Sequence, residues 1–242
     1  MITGGGTGIG RASASAFVRA GDRVVILGRR EDPLRAAAEA LGPSAAWLQA
    51  DVSRRESVEA AVRSAAARFG RLDVLVNNAG FVHGITSEMP LHEAERLWDE
   101  VVDTNLKGAF LTAMAASAHL PKPGGRIISI SSIAAFTGGS RPGAVAYAAA
   151  KAGIIGMTYG LARELSPHGI TVNAVAPGFV AQTEFTGAWS EERVRSIVRE
   201  TPVGRPGRAD DIASAILYLA SPEASFVTGT VLHVNGGWLF GH

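Results

Sequence analysis

The chain has 242 residues, 47% hydrophobic and 19% charged, with a net charge of +1, 29 Gly and no Cys. Its length suits one core, which stops growing at about 250–300 residues, and its composition excludes a disordered or supercharged chain. Disulfides and thiolate metal sites need Cys, no run approaches the ~18 apolar residues of a spanning helix, and no basic run gives nucleic acid a handhold. The expectation is a compact Gly-rich protein, cytoplasmic, acting away from membranes and nucleic acids.

In chain order, only Met1 and Ile2 precede the run Thr3-Gly4-Gly5-Gly6-Thr7-Gly8-Ile9-Gly10, so the first strand reads as truncated. Two or three missing buried aliphatic side chains would forfeit roughly 3–9 kcal/mol, so we expect a natural chain that starts several residues upstream. Strand candidates follow at 23–27, 46–50, 74–77, 126–130, 171–176 and 231–234, separated by Ala-rich helical patterns long enough for parallel crossovers. Continuous apolar character, as in Val24-Val25-Ile26-Leu27, fits a sheet covered on both faces. Helix starts are read at Asp32-Pro33 (N-cap and first position), the capping box Ser53-Arg54-Arg55-Glu56, Ser190 before Glu191, and Asp210-Asp211. Residues 1–242 therefore read as a single α/β domain with a doubly wound parallel sheet, a Rossmann fold.

Glycines at 4, 8 and 10 allow a sharp turn and close approach of backbone to a pyrophosphate at the start of a helix over 11–20. Farther on come Asn77-Asn78-Ala79-Gly80 and Tyr147-x3-Lys151. With Asp51-Val52, Asn105, Pro177-Gly178 and Val234-Asn235-Gly236-Gly237, this ordered set resembles the short-chain dehydrogenase/reductase family. Length and glycine spacing resemble its 3-oxoacyl-carrier-protein reductase-like branch. The resemblance runs from residue 3 to residue 237.

Tyr147 and Lys151 are four apart in a helical stretch over 144–165, so they share one face. A cation beside a phenol favours the phenolate, and an oxidised nicotinamide adds to that effect, so Tyr147 is the expected general acid/base. Ser132, after the strand at 126–130, is the expected hydrogen-bonding partner of the substrate oxygen, with Ser131 its rival. Its separation from Tyr147 is longer than is usual in the family, and the Gly-rich stretch 138–143 absorbs the excess. By resemblance, Asn105 holds a local helix distortion, within a helical stretch near 91–119, and a water linked to Lys151.

The end of the second strand meets the adenosine ribose in such folds. Gly28 stands at the acidic position there and Arg29-Arg30 follow, which favours NADP(H) over NAD(H). The resemblance adds Thr3, Gly4, Thr7, Gly8, Ile9, Gly10, Asp51, Val52, Asn78, Ala79, Gly80, Pro177, Gly178, Val180 and Thr183 as cofactor contacts, together with Tyr147 and Lys151. A substrate lid is expected over about 179–207, with Phe179, Phe185 and Trp189 making the site partly apolar; Phe81, Val82 and His83 form the opposite wall. The implied activity interconverts a ketone and a secondary alcohol on a small-molecule or acyl-thioester substrate. An acidic carrier protein would need a basic rim; Pro123 and His168 stand where its reductases place Arg, leaving Arg126, Arg141 and Arg163 to compensate. A catalytically silent nucleotide-binding homologue is the alternative. A homodimer or homotetramer is implied, pairing the helices near 91–119 and 144–165 through Ala113, Ala116, Ala148, Ala149 and Ala152, which would pack equally well on the sheet.

Overall fold

A computed structural model of the protein describes every residue except Arg141, Glu184, Ala188, Gly241 and His242. The sheet has seven parallel strands: β1 (Ile2–Thr3), β2 (Val24–Gly28), β3 (Ala45–Gln49), β4 (Val74–Asn77), β5 (Arg126–Ile130), β6 (Thr171–Pro177) and β7 (Val231–Val234). Their order is β3-β2-β1-β4-β5-β6-β7, so the direction of winding reverses between β1 and β4. In such sheets a crevice opens at the carboxyl ends of the strands at this reversal. The first strand is two residues long, with Ile2 registered on Ile26 and Val76, and Met1 adds one more rung through its carbonyl to the Val76 N–H at 2.9 Å.

The helices are α1 (Gly8–Arg19), α2 (Glu31–Leu41), α3 (Arg55–Phe69), α4 (Leu91–Val102), α5 (Gly108–Ser117), α6 (Ala134–Thr137), α7 (Val145–Leu165), α8 (Glu191–Glu200) and α9 (Ala209–Ala220). Alternate strand residues serve opposite layers. Val25, Leu27 and Ile127 pack with Val58, Val62, Ala113, Leu161 and Leu165, from α3, α5 and α7. Val24, Ile26 and Ile128 pack with Ala14, Phe17, Leu34, Ile212 and Ile216, from α1, α2 and α9. Burial on both sides explains why these strands are continuously apolar.

Some helix starts differ from the sequence reading. Asp32 is not an N-cap: α2 begins at Glu31, and both Glu31 and Asp32 turn sideways to pair with Arg35, leaving Pro33 in the first turn where its missing N–H does no harm. The capping box at Ser53 does not form either. Arg54 occupies the cap position, while the Ser53 hydroxyl donates back to Asp51 Oδ1 at 2.7 Å. Ser190 does cap α8, accepting from the Arg193 N–H at 3.4 Å, and the Asp211 carboxylate accepts from the Arg208 N–H at 2.7 Å at the start of α9. The stretch expected over 91–119 is interrupted by a π-turn, Asp103–Lys107, which joins α4 to α5.

Candidate active site

A cleft of about 890 Å³ runs along the carboxyl ends of the strands, from the glycine-rich turn to Tyr147 and Lys151. Gly4 and Gly8 both have positive φ, 65° and 50°, which lets the chain fold back from β1 into α1. A Cβ on Gly10 would strike the Gly4 carbonyl oxygen, so helix and turn touch backbone to backbone. The Arg11 N–H is the first to bond back along the helix, to the Thr7 carbonyl at 3.0 Å, leaving earlier donors for an anion.

Gly4, Thr7, Gly8, Ile9, Arg29, Arg30, Asp51, Val52, Asn78, Ala79, Gly80, Pro177, Gly178, Val180 and Thr183 all line the cleft. Thr3 and Gly10 do not, although both belong to the expected set. The Thr3 hydroxyl is buried and accepts from the Asn78 and Ala79 N–H groups, each at 2.9 Å, tying the ends of β1 and β4 together. Asn77 is likewise internal, held by Thr112 and the Ala109 carbonyl. The Arg29 guanidinium lies over the Phe81 ring, 5.4 Å from its centre. Nothing in this arrangement places a carboxylate at Gly28, whose Cα instead faces Leu34.

At the other end, Ser132, Tyr147 and Lys151 converge. Strand alternation separates the two serines. The Ser131 hydroxyl is buried and donates to the Lys151 carbonyl at 2.8 Å, whereas Ser132 Oγ accepts from the Ala134 N–H at 3.1 Å and donates toward the Tyr147 hydroxyl. Lys151 is buried, its ammonium donating to the Ile130 carbonyl at 2.8 Å and lying 5.5 Å from the centre of the Tyr147 ring. Burial lowers this ammonium to about 8.

The surroundings of the phenol raise its proton affinity. Burial pushes Tyr147 up to about 12, with the Ser132 hydrogen bond acting weakly in the opposite sense. The ammonium turns to a backbone carbonyl, and loss of hydration outweighs it. In this geometry burial favours the protonated form of the phenol.

Asn105 sits in the π-turn. Its Nδ2 donates to the Val101 and Phe81 carbonyls, each at 2.9 Å, and its Oδ1 is buried with no protein partner. A Cβ on Gly80 would strike that oxygen and come within 3.6 Å of Lys151 Nζ, so both groups face the same small space. A buried orphan acceptor costs about 1–3 kcal/mol, which is the mark of a site with another use for it.

The wall over 179–207 rises from the end of β6. Phe179 and Trp189 stack at 5.1 Å, Arg193 lies 3.8 Å over Trp189, and its guanidinium donates to Ser140 Oγ at 2.9 Å. His83 turns away from the cleft to Glu100, 3.2 Å distant. Sequence reasoning missed Thr104, Thr186, Trp238 and Leu239, all of which line the cleft. The last two arrive because Gly236 and Gly237, both at positive φ, reverse the chain after β7; the paired glycines were the available signal.

The proposed basic rim does not assemble. Arg126 is buried at the start of β5, the sheet end opposite the cleft, and Arg163 lies in the last turn of α7, far from Tyr147 in the first; Arg141 lies outside the described residues. No helix among the described residues is long and apolar enough to cross a membrane, and no cluster of His, Asp and Glu suited to a metal ion occurs among them.

A parallel sheet reversing at β1/β4, with a glycine turn and a Ser–Tyr–Lys group in one cleft, defines a dinucleotide-fold protein of the oxidoreductase type. Residues 4–239 match the family model described as enoyl-(acyl carrier protein) reductase. The 3-oxoacyl-(acyl-carrier-protein) reductase FabG of Salmonella typhimurium is 40% identical over 238 residues, 98% of this chain and 95% of that protein. The Staphylococcus aureus (strain Mu50) protein of the same name is 39% identical over 242 residues, 98% of this chain and 96% of its own. A Brucella melitensis crystal structure, described as a short-chain dehydrogenase/reductase, SDR:Glucose/ribitol dehydrogenase, superposes with a TM-score of 0.91 at 34% identity, covering 99% of this chain and 96% of that one. The chain belongs to the short-chain dehydrogenase/reductase family, and its relatives include FabG-type reductases.

Proposed function

We propose that the protein is an NADP(H)-dependent oxidoreductase that interconverts a ketone and a secondary alcohol, with reduction the favoured direction. The observation that carries this reading is the meeting of Ser132, Tyr147 and Lys151 in a cleft whose far end is the glycine turn. The fit to a dinucleotide rests on that turn, where backbone contact between Gly4 and Gly10 exposes donors at the start of α1. Gly4, Thr7, Gly8 and Ile9 would hold its pyrophosphate, Asp51 and Val52 its adenine, and Arg29 and Arg30 a 2′-phosphate. Asn78, Ala79, Gly80, Pro177, Gly178, Val180 and Thr183 would line the path to the reacting ring. A bound nicotinamide supplies or accepts the hydride; everything else falls to the chain.

Ser132 orients the carbonyl. Its Oγ accepts from Ala134, which holds the hydroxyl in place, and the proton that it turns toward Tyr147 would swing to the substrate oxygen, stabilising charge that develops there. Tyr147, held neutral by burial, delivers the proton to that oxygen. Lys151 remains cationic at neutral pH and, with Asn105 Oδ1, faces the space through which water resupplies the proton. Residues 179–207 serve as the lid that excludes bulk water.

Assembly as a homodimer or homotetramer is part of the reading. Phe110 and Met114 on α5 and Tyr159 on α7 are exposed, as are Ala149 and Ala152, while Ala113 and Ala116 are packed into the core. The deciding experiment offers a carbonyl panel with NADPH and with NADH. Turnover with NADPH, lost at least ~100-fold in Tyr147→Phe while cofactor affinity holds, supports the reading. Tight cofactor binding with no turnover across the panel would replace it with the silent homologue, and parallel loss of rate and binding would reduce Tyr147 to a packing residue.

A further inference from the structure

Among the aromatic side chains that line the cleft with Ser132 and Tyr147, Phe81, Phe179, Phe185 and Trp189 are not equivalent. Trp189 is covered on both faces, by Phe179 at 5.1 Å and by the Arg193 guanidinium at 3.8 Å. Phe81 lies under Arg29 and meets His83 edge-on, ring centres 5.0 Å apart. These rings are already engaged by protein. Phe185 differs: it is 40% exposed, and its ring centre lies 5.9 Å from that of Tyr147.

Its exposure is built, not accidental. The turn that carries it is pinned at several points: Thr186 N–H donates to the Thr183 carbonyl at 3.1 Å, and the Thr186 hydroxyl donates to the Val180 carbonyl at 2.7 Å. The base of the turn is anchored as well, since the Ala181 N–H and the Phe179 carbonyl both bond to Gly207 at 2.9 Å. Gln182 takes a φ of 57°, a left-handed conformation uncommon outside Gly and Asn, to aim the turn. An apolar ring held half in solvent beside a proton-donating phenol is a surface awaiting a ligand.

We infer that Phe185 is a specificity-determining residue, packing against an aryl or similarly flat apolar group attached to the substrate carbonyl. This rests on the ketone-reducing reading, because only a carbonyl oxygen bound at Tyr147 and Ser132 fixes its substituent near that ring. The chemistry of the lining agrees. Among the described residues, the charged groups of the cleft are Arg29, Arg30 and Asp51, beyond β2 and β3, and Lys151, bound to the Ile130 carbonyl. Ile133, Ala144 and Val82, which line the cleft as Phe185 does, are apolar.

The test measures binding of acetophenone and of 2-butanone to the protein–NADP⁺ complex, for wild type, Phe185→Ala and Phe185→Leu, with thermal melts to verify folding. The expected result is acetophenone affinity reduced at least ~10-fold in Phe185→Ala and largely recovered in Phe185→Leu, with 2-butanone changed less than about twofold. Equal weakening of both ketones, no weakening of either, or no acetophenone binding to the wild type would overturn the assignment. Wild-type turnover is followed in parallel. If the aryl preference depends on Phe185 yet neither ketone is reduced, the ring contact stands and the reductase reading fails.

Discussion

Two ionisable side chains at the floor of the cleft pull stability in opposite directions with pH. The buried Lys151 ammonium titrates near 8, against 10.5 in the unfolded chain. Between those values the unfolded state holds the extra proton, so this group makes stability rise with pH across that window. Tyr147 titrates near 12 against 10.0, so from pH 10 to 12 the native state holds the extra proton and stability falls. Urea titrations across this range should therefore show Lys151→Met losing the gain between 8 and 10.5, and Tyr147→Phe losing the decline above 10. A variant with the wild-type profile would show that its group is hydrated in the native protein. On the proposed NADP(H) reading, Arg29 selects the cofactor. Its replacement by Ala should weaken NADPH at least ~10-fold and NADH by much less, because only the former offers a phosphate for paired charge-assisted bonds. Calorimetric titration that found parallel weakening would reassign Arg29 to its contact with Phe81.

At the scale of elements, the glycine turn and α1 act as one piece. Gly10 is not needed for its dihedral freedom; it is needed because the Gly4 carbonyl occupies the place of a side chain. Gly10→Ala should cost about 1–3 kcal/mol, as overpacking does, and should abolish dinucleotide binding by prising the helix start from the turn. Chemical denaturation with a parallel cofactor titration checks both; retained affinity at full stability would mean the turn yields easily. The π-turn between α4 and α5 is the second device of this kind. It supplies the extra backbone needed to swing Asn105 inward, where Nδ2 is satisfied and Oδ1 is left facing Lys151. In the segment after β6, the train Phe179–Trp189–Arg193–Ser140 ties the end of that strand to the loop that leads into α7.

Over the whole molecule, the central strands are covered on both faces and the main cleft runs along the carboxyl ends of the strands, so a ligand filling it bridges both halves of the winding. Ligand that binds only the native state stabilises it by about 2.7 kcal/mol at a hundredfold excess over Kd. For a chain this size that corresponds to roughly 5–10 °C in Tm. NADPH should deliver this shift at lower concentration than NADH in a thermal melt. Identical concentration dependence would remove the case for phosphate recognition.

Much of this protein is written locally. β4, β5 and β7 fall where their β-type runs lie; β4 and β5 are covered on both faces and so largely apolar, and β7 is a half-buried edge strand. The glycine turn, the Tyr–Lys spacing and the Arg pair after β2 are short-range patterns, and their chemistry is readable without coordinates. What the sequence could not decide depends on competing neighbours, near and distant. Asp32 and Ser53 have the chemistry of caps, yet Arg35 and Asp51 draw them elsewhere. The choice between Ser131 and Ser132 follows from the direction that each side chain takes at the end of β5, and Ala113 and Ala116 are buried because that face of α5 packs on the sheet. The proton affinity of Tyr147 also depends on the packed fold. Spacing brings an ammonium near the phenol, but only the packed fold determines how much water is removed from the hydroxyl and where the ammonium points, and desolvation proved the stronger effect.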